Sequence, residues 1–251
     1  MRTRSFTFGG ANIKGTPPMP APSVRNDVRK ISKVVDVFLV QEFRHAWYWA
    51  TIRTLLGALW ASYPAFVVGL ANPVFGGQAI FWKRKLWKKM NQKVIEAFDF
   101  TLDNSGIMEN RWIRAVLLAD KKTLIDCWFV SAHFVVHGDD AGEGDRREHF
   151  MHQNLARLER MLIMLTHSDS PIIFEGDLNL HPGGWAWNDF MALVKKYDGR
   201  IIGTNGVEFM VVFDKHCATK VVVEKNYVLT PKAAGLKTDH EVRVMDFHLQ
   251  R

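Results

Sequence analysis

Asn12, Glu42, His133, Asp177, Asn179, Asp239 and His240 are the side chains whose types and spacing can do chemistry. Glu42 and Asp239 offer hard anionic oxygen and Asn12 a neutral one, a donor set that suits Mg²⁺ or Mn²⁺ better than a soft metal. Such an ion keeps several waters and is completed by a phosphate, so it can neutralise charge gathering on a phosphoryl oxygen. His133 and His240 can transfer protons near neutral pH. Asp177 and Asn179 stand two apart on a loop led by Gly176 and can hold a water and a phosphate oxygen in one pocket.

Each of these groups sits at the end of a predicted strand. Asn12 follows an alternating first strand, Gln41 and Glu42 follow the apolar run 34–40, and His133 follows 125–131. The stretch 176–179 follows 171–174, and Thr238-Asp239-His240 precedes a last strand at 242–249. Strand ends of a sheet share an edge, so residues far apart in the chain can converge there. Further strands are predicted at 65–68, 78–82, 206–213 and 219–223. Helical periodicity predicts helices over 26–32, 44–60 and 146–166; in the last, Phe150, Leu155, Leu158, Leu162 and Leu165 share a face. The mixture predicts an α/β (α+β) class with stacked sheets flanked by helices.

Composition sets the outer limits. With 251 residues, 47% hydrophobic and 24% charged, the chain excludes disorder, collagen and coiled coil. No repeat or linker divides it, so residues 1–251 read as one domain. Lys and Arg total 33 against 26 Asp and Glu, a formal charge of +7 that favours an anionic partner. Cys127 and Cys217 are the only cysteines, and the N-terminus lacks the pattern of a secretory signal, which together point to a cytoplasmic protein. Residues 54–82 carry no charge, but prolines and glycines interrupt them, so they read as a helix end followed by two core strands.

The motifs occur in an order that resembles the endonuclease/exonuclease/phosphatase superfamily. They are Asn-Ile-Lys-Gly at 12–15, Asp-Val-Phe-Leu-Val-Gln-Glu at 36–42, Ser-Ala-His-Phe at 131–134, Gly-Asp-Leu-Asn at 176–179 and Thr-Asp-His at 238–240. The resemblance covers nearly the whole chain and implies a DNase I-like, four-layer αββα sandwich. It also implies that Glu42 is the principal metal ligand with Asn12 and Asp239 near it, that His240 is the general base, and that Asp177 orients the water. Asn179 and His133 would bind the scissile phosphate. In the strand before the last motif the family commonly has an Asp that orients the base. This chain has Glu208, which either takes that role or is a solvent-facing carboxylate. Either Arg111 or Arg114 matches the family's mid-chain Arg, with Arg111 preferred.

Other features have two readings each. Trp82, Lys83 and Arg84 belong to a basic, Trp-containing stretch that either binds phosphates and stacks on bases or protects a hairpin edge. Trp185 and Trp187 follow the 176–179 loop closely enough to touch a substrate or to anchor the loop. The spacing of His133 with His137, and of His149 with His152, lacks the further ligands of a zinc site. The acidic, Gly-rich stretch 138–145 reads as a rim loop, and Arg25, Arg29, Lys30 and Lys33 read as a solvated helix face. The functional expectation is a Mg²⁺-dependent phosphodiester hydrolase, foremost a nuclease with nucleic acid as substrate. The alternatives are a phosphatase or sphingomyelinase-like enzyme acting on a lipid headgroup, and a non-catalytic binding module. No feature identifies a protein partner.

Overall fold

The structure is a computed structural model that describes residues 4–13, 21–45, 52, 54–64, 74–102, 108–134, 146–204, 207–238 and 240–251. In chain order the elements are β1 (Ser5–Asn12), α1 (Ala21–Val34), β2 (Val37–His45), β3 (Trp60–Pro64), β4 (Val74–Lys83), β5 (Trp87–Leu102), β6 (Met108–Asp120), β7 (Asp126–His133), α2 (Arg146–Thr166), β8 (Ile172–Asp177), α3 (Trp185–Lys196), β9 (Gly199–Thr204), β10 (Glu208–Phe213), β11 (Lys220–Leu229), α4 (Pro231–Ala234) and β12 (Val242–Gln250). They form two mixed sheets, ordered β11-β12-β1-β2-β4-β3 and β5-β6-β7-β8-β10-β9. Two compact units follow: residues 1–89, 119–124 and 222–250 in one, and 90–118, 125–221 and 251 in the other.

In the first unit β1 and β2 run parallel, with Phe8 opposite Val37 and Asn12 opposite Gln41. Parallel neighbours need a crossover, and α1 lies in that connection. Its Val24, Val28 and Ile31 recur at helical spacing and pack with Phe38, Val40, Phe81 and Val244 of the sheet. In the second unit β7 and β8 are likewise parallel, and α2 lies between them in sequence. Met151, Leu155, Leu158, Leu162 and Leu165 of α2 pack with Phe174, Val211 and Phe213, while α3 adds Ala186, Phe190 and Val194. Phe190 meets Phe209 edge-on at 4.8 Å between ring centroids.

Several predicted boundaries move. The helix expected over 26–32 extends across Ala21–Val34, and the strand expected from 34 starts at Val37, because Val34 still belongs to α1. The helix expected over 44–60 is shorter at both ends: its first residues belong to β2, residues 52 and 54–56 are helical, a short 3-10 helix covers Gly57–Leu59, and Trp60 opens β3. Residues 46–51 and 53, and the strand predicted at 65–68, lie outside the described residues. β5, β6 and β9 escape the sequence reading altogether. The exposed run Lys88, Lys89, Asn91, Gln92 and Lys93 breaks the alternation of β5, and the exposed or half-buried β9 has little apolar signal of its own. By contrast α2 spans the predicted residues 146–166.

The thiols are both free, Cys127 buried and Cys217 half-buried. Burial pushes the Cys127 thiol well above its ordinary range, with Asp126 adding to the effect, and raises Cys217 in the same sense. A thiol-specific reagent at mildly alkaline pH should therefore leave Cys127 unmodified in the native protein and label it on unfolding. Gly176 is a second sensitive point, since a methyl group there would meet the Ala132 carbonyl oxygen on β7 at 2.6 Å. Gly176→Ala should destabilise the protein by about 1–3 kcal/mol in urea titration, and unchanged stability would show that the β7–β8 spacing is not rigid.

Candidate functional site

The second unit gathers three ionisable side chains by strand register. His133 on β7 is opposite Asp177 on β8, and Asp177 is opposite Glu208 on β10. Residues directly opposite one another on neighbouring strands project to the same face, so the three form a row at one end of the sheet. All are buried, with relative exposures of 1%, 2% and 2%. Carboxylate oxygens of Asp177 and Glu208 come within 4.8 Å of each other. Two buried carboxylates at that separation form a pair that a bound cation can bridge. Their hard oxygens suit a divalent ion of the Mg²⁺ type. The burial of Glu208 also removes its reading as a solvent-facing carboxylate.

Hydrogen bonds pin the loop after β8. The Asn179 backbone N–H donates to Asp177 Oδ1 at 3.2 Å, and Asn179 Nδ2 donates to the Phe134 carbonyl at 3.1 Å. The Phe134 N–H donates in return to the Asp177 carbonyl at 3.0 Å, and the Leu178 N–H to that of Val207 at 2.8 Å. Asn179 has φ of 50°, the left-handed region that asparagine tolerates better than most residues. The side chain that holds the loop to β7 is thus also one that can accept this turn.

The first unit arranges a second group. Asn12 ends β1 opposite Gln41, and the Ile13 N–H donates to the Gln41 carbonyl at 3.3 Å. The pairing of β2 with β4 shifts register between Val40 and Phe43, so strand regularity is interrupted at Gln41 and Glu42. Irregularities of this kind re-aim side chains. The Glu42 side chain itself is outside the described residues, as is Asp239. Thr238 Oγ1 donates to the Asn12 carbonyl at 2.9 Å and accepts from the His240 N–H at 3.2 Å. One hydroxyl therefore ties the 238–240 turn to the end of β1.

The residue that secures this turn was not singled out from the sequence. Asp27 on α1 is fully buried, and its carboxylate accepts from the Lys237 N–H at 2.9 and 2.8 Å and from the Thr238 N–H at 2.8 Å. Its signal was present in the pattern: an acid between Val24 and Val28 on the apolar face of a helix, where a carboxylate is tolerated only if its charge is bonded.

Other predicted contacts fall elsewhere. Trp82 is buried on β4 opposite Val37, and the end of β2 that carries Val37 lies about 13 Å along the strand from Gln41. Lys83 Nζ pairs with Asp36 Oδ1 at 2.8 Å, and Arg84 Nε donates to the Trp60 carbonyl at 3.0 Å. Trp82 is thus core at the opposite end of that sheet from Gln41, and Lys83 and Arg84 are tied to neighbours there. The Arg111 side chain lies outside the described residues, although its backbone belongs to β6. Arg114, the other candidate, is buried with its guanidinium 5.4 Å from the centre of the Trp112 ring. Trp185 opens α3 and stacks on His152 at 4.1 Å, whereas Trp187 packs on Phe209 at 5.2 Å and so helps anchor the loop.

No family model and no curated protein matches the sequence. Solved structures do match it in fold. The human Nocturnin catalytic domain with bound sulfate is 17% identical, with a TM-score of 0.73, and the match covers 98% of this chain and 95% of that one. An endonuclease/exonuclease/phosphatase protein from Bacteroides vulgatus gives 14% and 0.72, covering 98% and 100%. ANGEL2, described as a 2′,3′-cyclic phosphatase in complex with adenosine-2′,3′-vanadate, gives 14% and 0.72, covering 100% and 97%. In fold the chain is similar to these structures: it has two mixed six-stranded sheets flanked by helices, of the DNase I-like kind. The resemblance drawn from the motifs is borne out at the level of fold, in both its class and its extent along the chain.

Removing Asp27 tests the link between α1 and the 238–240 turn. Asp27→Ala should lower stability by about 1–3 kcal/mol, because it strips acceptors from backbone N–H groups, one of them on buried Thr238. Hydrogen exchange should accelerate at Thr238 while the β7–β8 amides keep their protection; uniform acceleration would assign Asp27 to global stability alone.

Proposed function

We propose that the chain acts as one catalytic domain, a Mg²⁺-dependent phosphoesterase, and within that class a nuclease that hydrolyses phosphodiester bonds of DNA or RNA. The observation that carries this reading is the buried row His133, Asp177 and Glu208, set by register on three neighbouring strands. The fold shared with Nocturnin and ANGEL2 supports it, as does the formal charge of +7. The 2′,3′-cyclic phosphatase described for ANGEL2 favours a second reading, a phosphatase acting on the ester at the end of a nucleotide chain.

The ligands assigned by motif are Glu42, Asn12 and Asp239, and an ion held there would supply positive charge against the negative charge gathering on a phosphoryl oxygen. His240 takes the proton of the attacking water, and Asp177 orients that water for in-line attack. As the new P–O bond forms, the bond to the leaving oxygen breaks, and His133 returns a proton to that oxygen. Asn179, fixed through Phe134, holds a phosphate oxygen. By motif, Glu208 fills the place of the acid that orients the base.

Purified protein incubated with plasmid DNA, structured RNA, a 2′,3′-cyclic nucleotide, sphingomyelin and inositol polyphosphate checks the assignment. Turnover of nucleic acid should need Mg²⁺ or Mn²⁺, stop in EDTA and return when metal is restored. His240→Ala and His133→Ala should each lower kcat by about 10²- to 10⁴-fold. Their double variant should fall short of the product of the single losses, since residues that serve one displacement are not additive. Full activity in EDTA, or in His240→Ala, would overturn the reading.

A further inference from the structure

The outer side of α1 carries a line of cations. Arg25, Arg29 and Lys33 recur every four residues and are exposed, while Val24, Val28 and Ile31 face the core. The one acid of this helix, Asp27, is buried and engaged by the backbone N–H groups of Lys237 and Thr238. It therefore offers nothing to the surface. Lys30 Nζ donates to the Gly235 carbonyl, which places Lys30 over the segment that leads into Lys237 and the 238–240 turn. Lys232 on α4 and Lys237 are exposed beside it. Among the described residues, none of Arg25, Arg29, Lys30, Lys33, Lys232 and Lys237 forms an ion pair with a carboxylate.

This arrangement differs from an ordinary solvated helix face, where acids and bases alternate and neutralise one another. Cations of one sign on α1, α4 and the turn between them build a local positive field. That field borders Thr238, whose hydroxyl holds both the Asn12 carbonyl and the His240 N–H. A phosphate bound at the 238–240 turn would have this surface beside it, and a polymer would have further phosphates to place there.

We infer that the α1–α4 face of the first unit is a binding track for the phosphate backbone of a nucleic acid, an inference that rests on the proposed nuclease reading. Lys30 and Lys237 contact phosphates next to the one at the turn, and Arg29, Lys33 and Arg25 contact those further along. A nucleic acid fits better than a membrane because α1 keeps Val24, Val28 and Ile31 in the core. A helix lying in a lipid surface would instead turn its large apolar side chains outward.

The test is binding of a fluorescein-labelled single-stranded oligonucleotide, followed by anisotropy in EDTA so that nothing is cleaved. Wild-type affinity should fall linearly with salt on logarithmic axes. Arg29→Glu combined with Lys33→Glu, and separately Lys237→Glu, should weaken binding by about tenfold and flatten the slope by about 0.7 for each phosphate that is no longer neutralised. Lys122→Glu, which makes a comparable charge change in the turn after β6, should leave both unchanged, and melting curves establish that every variant is folded. Equal binding by all variants would overturn the proposal. So would equal weakening by Lys122→Glu, or binding of phosphatidylserine vesicles with none of the oligonucleotide. Turnover of a small chromogenic diester by the wild type, measured alongside, tests the hydrolase reading alone. Absence of that turnover with the binding pattern intact rejects the enzyme and keeps the track; turnover with oligonucleotide binding that the α1 and Lys237 variants do not weaken does the reverse.

Discussion

The second unit depends on the register that aligns β7, β8 and β10. Side chains alternate along a strand, so one slip of register would exchange the faces of every residue. On β8, Ile172 and Phe174 belong to the cluster with α2 and α3, and alternation places Ile173, Glu175 and Asp177 on the opposite face. On β10, Phe209, Val211 and Phe213 join that helix-facing cluster, which leaves Glu208 on the same side as Asp177. The row of ionisable groups is therefore the complement of the apolar packing. Helices that bury phenylalanines on one face determine where the carboxylates stand on the other.

Keeping those groups buried carries an electrostatic penalty that hydrophobic packing alone does not offset. The loop after β8 contributes directed hydrogen bonds, from Asn179 to Asp177 and to the Phe134 carbonyl, and the Phe134 N–H just after β7 closes the ring. In the first unit Asp27 does comparable work from a helix. Its carboxylate orders the segment at Lys237 and Thr238, and the Thr238 hydroxyl passes that order to β1 and to His240. Each group of candidate residues thus leans on neighbours with no assigned chemistry, the Phe134 backbone in the second unit and Asp27 with Thr238 in the first. Such support narrows the range of positions a reacting group can occupy, which is what catalysis by orientation requires.

Charge is distributed unevenly over these two tasks. Some carboxylates are buried, Asp27, Glu175, Asp177 and Glu208 among them, and several surface acids are matched by bases. Lys196 pairs with Glu159, and Asp198 engages both Lys215 and His216, partnerships that hold Glu159 and Asp198 below the usual carboxylate range. The face formed by α1 and α4 lacks such matching among the described residues. A formal charge of +7 is modest when spread over a whole surface, and it becomes chemically informative only where cations stand together without acids.

Periodicity and motif order were enough to identify the architecture. Apolar runs located β7, β8, β10 and β12, the 3.6-residue repeat delimited α2, and the ordered motifs pointed to the DNase I-like fold. These signals are local, and they persist because the core selects for them at every turn. What depends on partners distant in the chain was not legible. Glu208 was ambiguous until pairing with β8 buried it, Asp27 stood on an apolar helix face with its partners, 210 and 211 positions away, out of view, and β5 lost its strand signal to exposed lysines. Trp82, Lys83 and Arg84 had a plausible composition for binding substrate, but strand register set them at the other end of β2 and tied them to Asp36 and Trp60. Residue types along the chain determined which chemistry was available; tertiary pairing decided which of those residues stand side by side, because burial and register are properties of the neighbours and not of the residue itself.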